Sequence, residues 1–66
     1  MKTKIKNILL EIITTNGIEW KDIVVEIQRR IIINNWNVVR SVIQELKNEN
    51  IIIRDDNIMK EIYISK

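Results

Sequence analysis

The sequence predicts an α+β fold, mainly α: three helices followed by a C-terminal β-hairpin, in a single domain over residues 1–66. Three observations predict it. Apolar residues recur at helical spacing in three successive segments. After Asn50 the period changes to two, in runs rich in β-branched residues. Between those runs stands Asp55-Asp56-Asn57, which is turn chemistry.

The first helix is expected over about 3–15, where Ile5, Ile8, Leu9, Ile12 and Ile13 keep the i, i+3, i+4 rhythm. Gly17, the only glycine, is expected to close it in the left-handed conformation. Ile18 then has room for one short extended step. The second helix is expected over about 19–32, with Trp20, Ile23, Val24, Ile27 and Ile31 inward. Glu19 and Asp22 fall in its first turn, where the helix dipole favours acids. Asn34 and Asn35 break it.

The third helix is expected over about 35–49, with Asn35 as N-cap. At 100° per residue, Trp36, Val39, Val42, Ile43 and Leu46 gather on one side. Asn37, Ser41, Gln44 and Asn48 gather on the other. Arg40 and Lys47 border that polar row on one edge, Val38 and Glu45 on the opposite edge. Asn50 is the expected left-handed cap, being the usual substitute for glycine. The runs IIIR and IMKEIYIS then predict strands over about 51–54 and 59–64. Ile62 and Ile64 share one face of the second strand, and Tyr63 takes the other, where an exposed ring would mark a contact surface.

Composition narrows the chemistry. The chain is too short for more than one domain, and a domain of this size is marginally stable alone. It has neither Cys nor His, which excludes disulfide bracing and the common zinc sites. Neither a metal nor a cofactor is expected. No apolar run approaches the roughly 18 residues of a membrane span, and the basic start MKTKIKN lacks the pattern of a signal peptide. A cytoplasmic location without membrane association is the expectation. Ile occupies 17 positions while Ala and Phe are absent, so β-branched side chains must supply most of the core. The net charge of +2 is small but unevenly spread. Residues 1–10 carry three lysines and no acid, 11–26 carry a net −3, and 28–40 carry a net +3. A fold that brought the two basic segments together would make a modest positive face.

Val39, Ile43, Leu46, Asn50, Ile51 and Ile52 carry a resemblance. Their spacing is that of an apolar residue, three others, an apolar residue, two others, Leu, three others, Gly, then two apolar residues. With the order helix, extended step, helix, turn, helix, hairpin, the chain resembles the winged helix-turn-helix superfamily, in particular its small prokaryotic, archaeal or viral members. The resemblance covers nearly the whole chain, although its motif is a packing pattern and Asn50 stands where the family has glycine. It implies that the third helix enters the major groove of double-stranded DNA and that the protein regulates transcription; a homodimer is expected from the spare apolar surface of so small a domain. Asn37, Arg40, Ser41 and Gln44 would read bases, since Asn and Gln pair with adenine and Arg with guanine. Lys2, Lys4, Lys6, Arg29, Arg30 and Lys47 would contact the DNA backbone. The hairpin tip departs from the family. Asp55 and Asp56 would repel phosphate, although Arg54 and Lys60 flank them.

That departure keeps a second expectation open: a winged helix used as a protein-interaction module, either an accessory subunit of a replication or transcription assembly or a virus-encoded inhibitor. The apolar surplus in RRIIINN supports self-association or a protein partner, with Ile32, Ile33 and Tyr63 as the expected interface. Trp20 and Trp36 are in register with core residues, so a core or rim role outweighs base stacking. Glu19, Asp22 and Glu26 have no His, Cys or phosphate-binding loop beside them and are expected to be solvated. No Ser or Thr has a His to act as base, so no enzymatic activity is expected.

Overall fold

In the computed structural model, which describes residues 2–57 and 59–66, the chain forms three helices and a three-stranded antiparallel sheet. Ile58, part of the second β-rich run, lies outside the described residues. The elements are α1 (Lys2–Ile12), β1 (Ile18–Glu19), α2 (Trp20–Gln28), α3 (Trp36–Asn48), β2 (Ile52–Arg54) and β3 (Ile62–Ser65). The sheet order is β1-β3-β2.

Each helix buries the stripe its spacing marks out. α1 contributes Ile5, Ile8 and Leu9, α2 Ile23 and Ile27, and α3 Val39, Val42, Ile43 and Leu46. Ile13, Ile52 and Tyr63 complete one continuous core. No buried polar side-chain atom among the described residues lacks a hydrogen-bond partner, so the interior carries no desolvation penalty of that kind. Among the described residues no helix is long and apolar enough to cross a membrane.

α3 begins and ends as its sequence predicts. Asn35 is extended, and its side chain accepts a hydrogen bond from the Asn37 N–H at 3.0 Å. At the other end Asn50 has a φ of 61°. Its N–H donates to the Lys47 carbonyl and the Ile51 N–H to the Leu46 carbonyl, each at 3.0 Å. These are the paired bonds of a Schellman cap.

Four expectations need correction. α1 stops at Ile12 because Thr14 leaves the helix: its hydroxyl accepts from the Asn16 N–H and its carbonyl from the N–H groups of Gly17 and Ser65. Gly17, with a φ of 85°, therefore closes the turn into β1 and is no helix cap. α2 stops at Gln28. Three consecutive β-branched residues suit a helix poorly, and Ile31 and Ile33 are half-buried while Ile32 points out, an alternation of period two. The hairpin loop is longer than expected, since β3 starts at Ile62 and not at residue 59. The Asn57 side chain accepts from the Met59 N–H at 2.9 Å, a local bond of the turn kind.

The fourth correction concerns the faces of the sheet. β1 is more than an extended step, because Ile18 pairs with Tyr63 and Glu19 with Ile62. Across β2, Arg54 pairs with Tyr63 and Ile53 with Ile64. Cross-strand partners share a face, so Ile18, Ile52 and Tyr63 look toward the helices. Tyr63 is only 6% exposed and cannot serve as the expected surface contact. The open face belongs to its neighbours Ile53, Ile62 and Ile64.

Candidate functional site

The polar row of α3 is on the surface. Asn37, Ser41, Gln44 and Asn48 are all exposed, while the opposite side of the same helix is buried. Gln44 Nε2 donates to Asn48 Oδ1 at 3.0 Å, an i, i+4 pair that orients both amides. Gln44 keeps its carbonyl oxygen and a second N–H for another partner. The row thus presents donors and acceptors on one exposed stripe.

Its two edges are built differently. Along one edge, α1 lies beside α3, and two turns of each helix meet through ion pairs. Lys2 Nζ is 2.7 Å from Glu45, and Lys6 Nζ is 3.8 Å from Glu49. Such surface pairs contribute about 0–1 kcal/mol each and exchange readily for another anion. Lys4 is about 200° around α1 from Lys2 and does not share this edge. Lys47, in the last turn of α3, forms no ion pair among the described residues.

Along the other edge stands Arg40, held in two ways. Its Nη1 is 2.8 Å from Glu61 Oε2. Its Cζ lies 4.0 Å from the centre of the Trp20 ring, a cation–π contact contributing about 0.5–2 kcal/mol. Trp20 is fixed in turn by Trp36, edge-on at 6.1 Å and 85° between ring planes. The two tryptophans are half-buried against the core, as expected of a rim.

Glu61 is the hub of this corner. The Tyr63 hydroxyl donates to the same carboxylate oxygen that meets Arg40, and the Trp20 N–H donates to the Glu61 carbonyl at 2.8 Å. Burial opposes ionisation of Glu61, but the hydrogen bonds from Tyr63 and Arg40, with the charges of Arg40 and Arg54, outweigh it. Its pKa is held below the ordinary 4.5. Burial, then the hydrogen bond to Glu61 and its charge, push Tyr63 up to about 12.

The expected site residues are therefore only partly brought together. Asn37, Ser41 and Gln44 line one open stripe, with Lys2, Lys6 and Lys47 at its borders. Arg40 is adjacent but engaged. Arg29 and Arg30 face Glu26 and Glu11, and among the described residues no ion pair joins them to α3. Glu19 and Glu26 are matched by Lys21, Lys60 and the two arginines. Ile32 is 84% exposed and, with half-buried Ile33, lines an apolar hollow of about 190 Å³ closed by Ile5, Asn34, Asn35 and Val38.

Sequence reasoning missed Glu61. The available signal was its position two residues before Tyr63, which puts both side chains on one strand face. No protein-family model, curated protein or solved structure matches the chain.

Proposed function

We propose that the protein is a minimal winged helix-turn-helix that binds double-stranded DNA through α3 and regulates transcription, in the cytoplasm and without catalysing a reaction. One observation carries the reading: the exposed, uncharged stripe of Asn37, Ser41 and Gln44 on a helix capped at both ends and packed on a three-stranded sheet. Such a rigid helix suits the major groove, and its amides suit base edges. Lys2, Lys6 and Lys47 border the stripe where phosphates would run, and phosphate can displace Glu45 and Glu49 from the α1 lysines. Exposed Ile32 and Ile53 support a homodimer. Two copies of α3 would then meet major-groove faces about 34–36 Å apart.

The test is a titration of labelled duplex DNA over a range of salt, with a single-stranded control. The expected result is duplex binding that weakens as salt rises, and loss of sequence preference in Asn37→Ala and Gln44→Ala. Each good bidentate contact discriminates by about 1–3 kcal/mol. Absence of salt-sensitive duplex binding sinks the reading.

A second reading is favoured by the open face of the sheet. Ile53, Ile62 and Ile64 lie side by side there, and Met59 on the adjoining loop is 85% exposed. In this reading the same fold is a protein-interaction module, part of a larger assembly or a self-associating unit, and the acidic tip at Asp55 and Asp56 points away from nucleic acid. Ile53→Lys would then abolish association in sedimentation, while DNA binding would be absent in both proteins.

A further inference from the structure

The strongest unexplained feature is the treatment of Arg40. In helix-turn-helix geometry the N-terminal residues of the recognition helix contact base edges. In α3 that portion holds Asn37, Arg40, Ser41 and, one turn on, Gln44. Arg40 is the only cation among them. Arg is also the side chain that most often reads guanine, by paired hydrogen bonds to O6 and N7. Yet this guanidinium is bonded to Glu61 at 2.8 Å and laid over Trp20 at 4.0 Å. Glu61 is itself held by Tyr63 from the buried face of the sheet. The other α3 cation, Lys47, sits in the last turn, beyond the base-reading portion.

Beside Arg40, whose side chain is 47% exposed but engaged by Glu61 and Trp20, the reading face offers two amides and a hydroxyl, with Asn48 turned to hold Gln44 in place. An amide matches adenine, accepting from N6 and donating to N7, while Ser accepts either base. We propose that the site takes duplex DNA whose contacted base pairs are A·T, and that Glu61 is the specificity-determining residue because it keeps Arg40 from guanine. This rests on the reading of α3 as a DNA-recognition helix. Glu61 touches no base in this scheme; it acts by positioning Arg40.

The experiment is selection by the full chain from a pool of duplexes with a randomised centre, followed by titration of the recovered sequences. The wild type is expected to enrich A·T at the contacted positions. Replacing one such pair by G·C should weaken binding about tenfold or more, within the range for a bidentate contact. Glu61→Gln removes the carboxylate charge that holds the guanidinium, and its selected pool should gain G at one position. Arg40→Met keeps an apolar stem over Trp20 and should leave the base preference intact. Far-UV circular dichroism confirms that each variant is folded. If Glu61→Gln does not fold, Glu61→Leu takes its place in the selection. A wild-type pool led by guanine, a folded Glu61→Gln or Glu61→Leu whose pool gains no G, or an A·T preference lost in Arg40→Met, overturns the proposal while duplex binding stands. Failure to retain any duplex at low salt overturns the DNA reading with it.

Discussion

Glu61 and Tyr63 tie single-residue chemistry to stability. The folded pKa of Glu61 lies below 4.5, so its contribution is present above the unfolded value and is lost as pH falls through the folded one. Tyr63 is raised from 10.0 to about 12, so its contribution is complete below pH 10 and is lost as pH rises toward 12. We expect Glu61→Gln to flatten part of the acid limb of the urea midpoint against pH, and Tyr63→Phe to flatten part of the alkaline limb. Gly17 gives a second residue-scale expectation. Its φ is 85°, and an added Cβ would lie 3.2 Å from side-chain carbons of both Ile62 and Ile64. Gly17→Ala should therefore lose at least about 1–2 kcal/mol in the same assay, the cost of the left-handed backbone alone. That Gly17 needs a positive φ is legible in the sequence, because no other residue type adopts it so freely. The grip of Glu61 on Arg40 is not, because the two are 21 positions apart and no local spacing rule relates them.

α3 shows why some elements can be read from local chemistry. Both its ends are fixed by asparagines whose roles depend only on near neighbours. Asn35→Ala removes the bond to the Asn37 N–H and should cost about 1 kcal/mol. Asn50→Ala forces a Cβ of no polar use into the left-handed region and should cost a similar amount. Asn50→Gly should cost nothing, or stabilise slightly, because glycine is the preferred residue there. Thermal unfolding of the three variants gives this ranking, and a stable Asn50→Ala would contradict the cap. The exposed row and the buried row of α3 follow from the 100° step for the same local reason. The sheet is different. A period of two separates Tyr63 from Ile62 and Ile64 but leaves both faces apolar, so spacing alone does not tell which face meets the helices. The answer lies in the pairing of Ile18 with Tyr63, a contact between distant segments. The early end of α2 is of the same kind, since it leaves Ile31 and Ile33 packed against the core while Ile32 is exposed.

For the whole molecule, charge placement matters more than charge total. A net +2 suggests weak attraction to any polyanion. The fold sharpens this by turning Arg29 and Arg30 to Glu26 and Glu11, and Lys4 away from the α1–α3 edge. Lys2, Lys6 and Lys47 are left as the cations bordering the polar row. Three phosphate contacts release counterions with a slope of about −0.9 each in a plot of log affinity against log salt. A single copy on duplex DNA should therefore show a slope of about −2.7, and a symmetric pair about −5.4. Lys2→Ala or Lys6→Ala should shallow the single-copy slope by about 0.9, whereas Arg29→Ala with Arg30→Ala should leave it nearly unchanged. Glu45→Gln and Glu49→Gln should do the reverse of a lysine deletion and raise affinity at low salt, because each removes a carboxylate that competes with phosphate for Lys2 or Lys6. A slope that follows Arg29 and Arg30 instead would place the duplex on the α2 side of the molecule, away from the amides of α3, and would end the assignment of that helix to the groove.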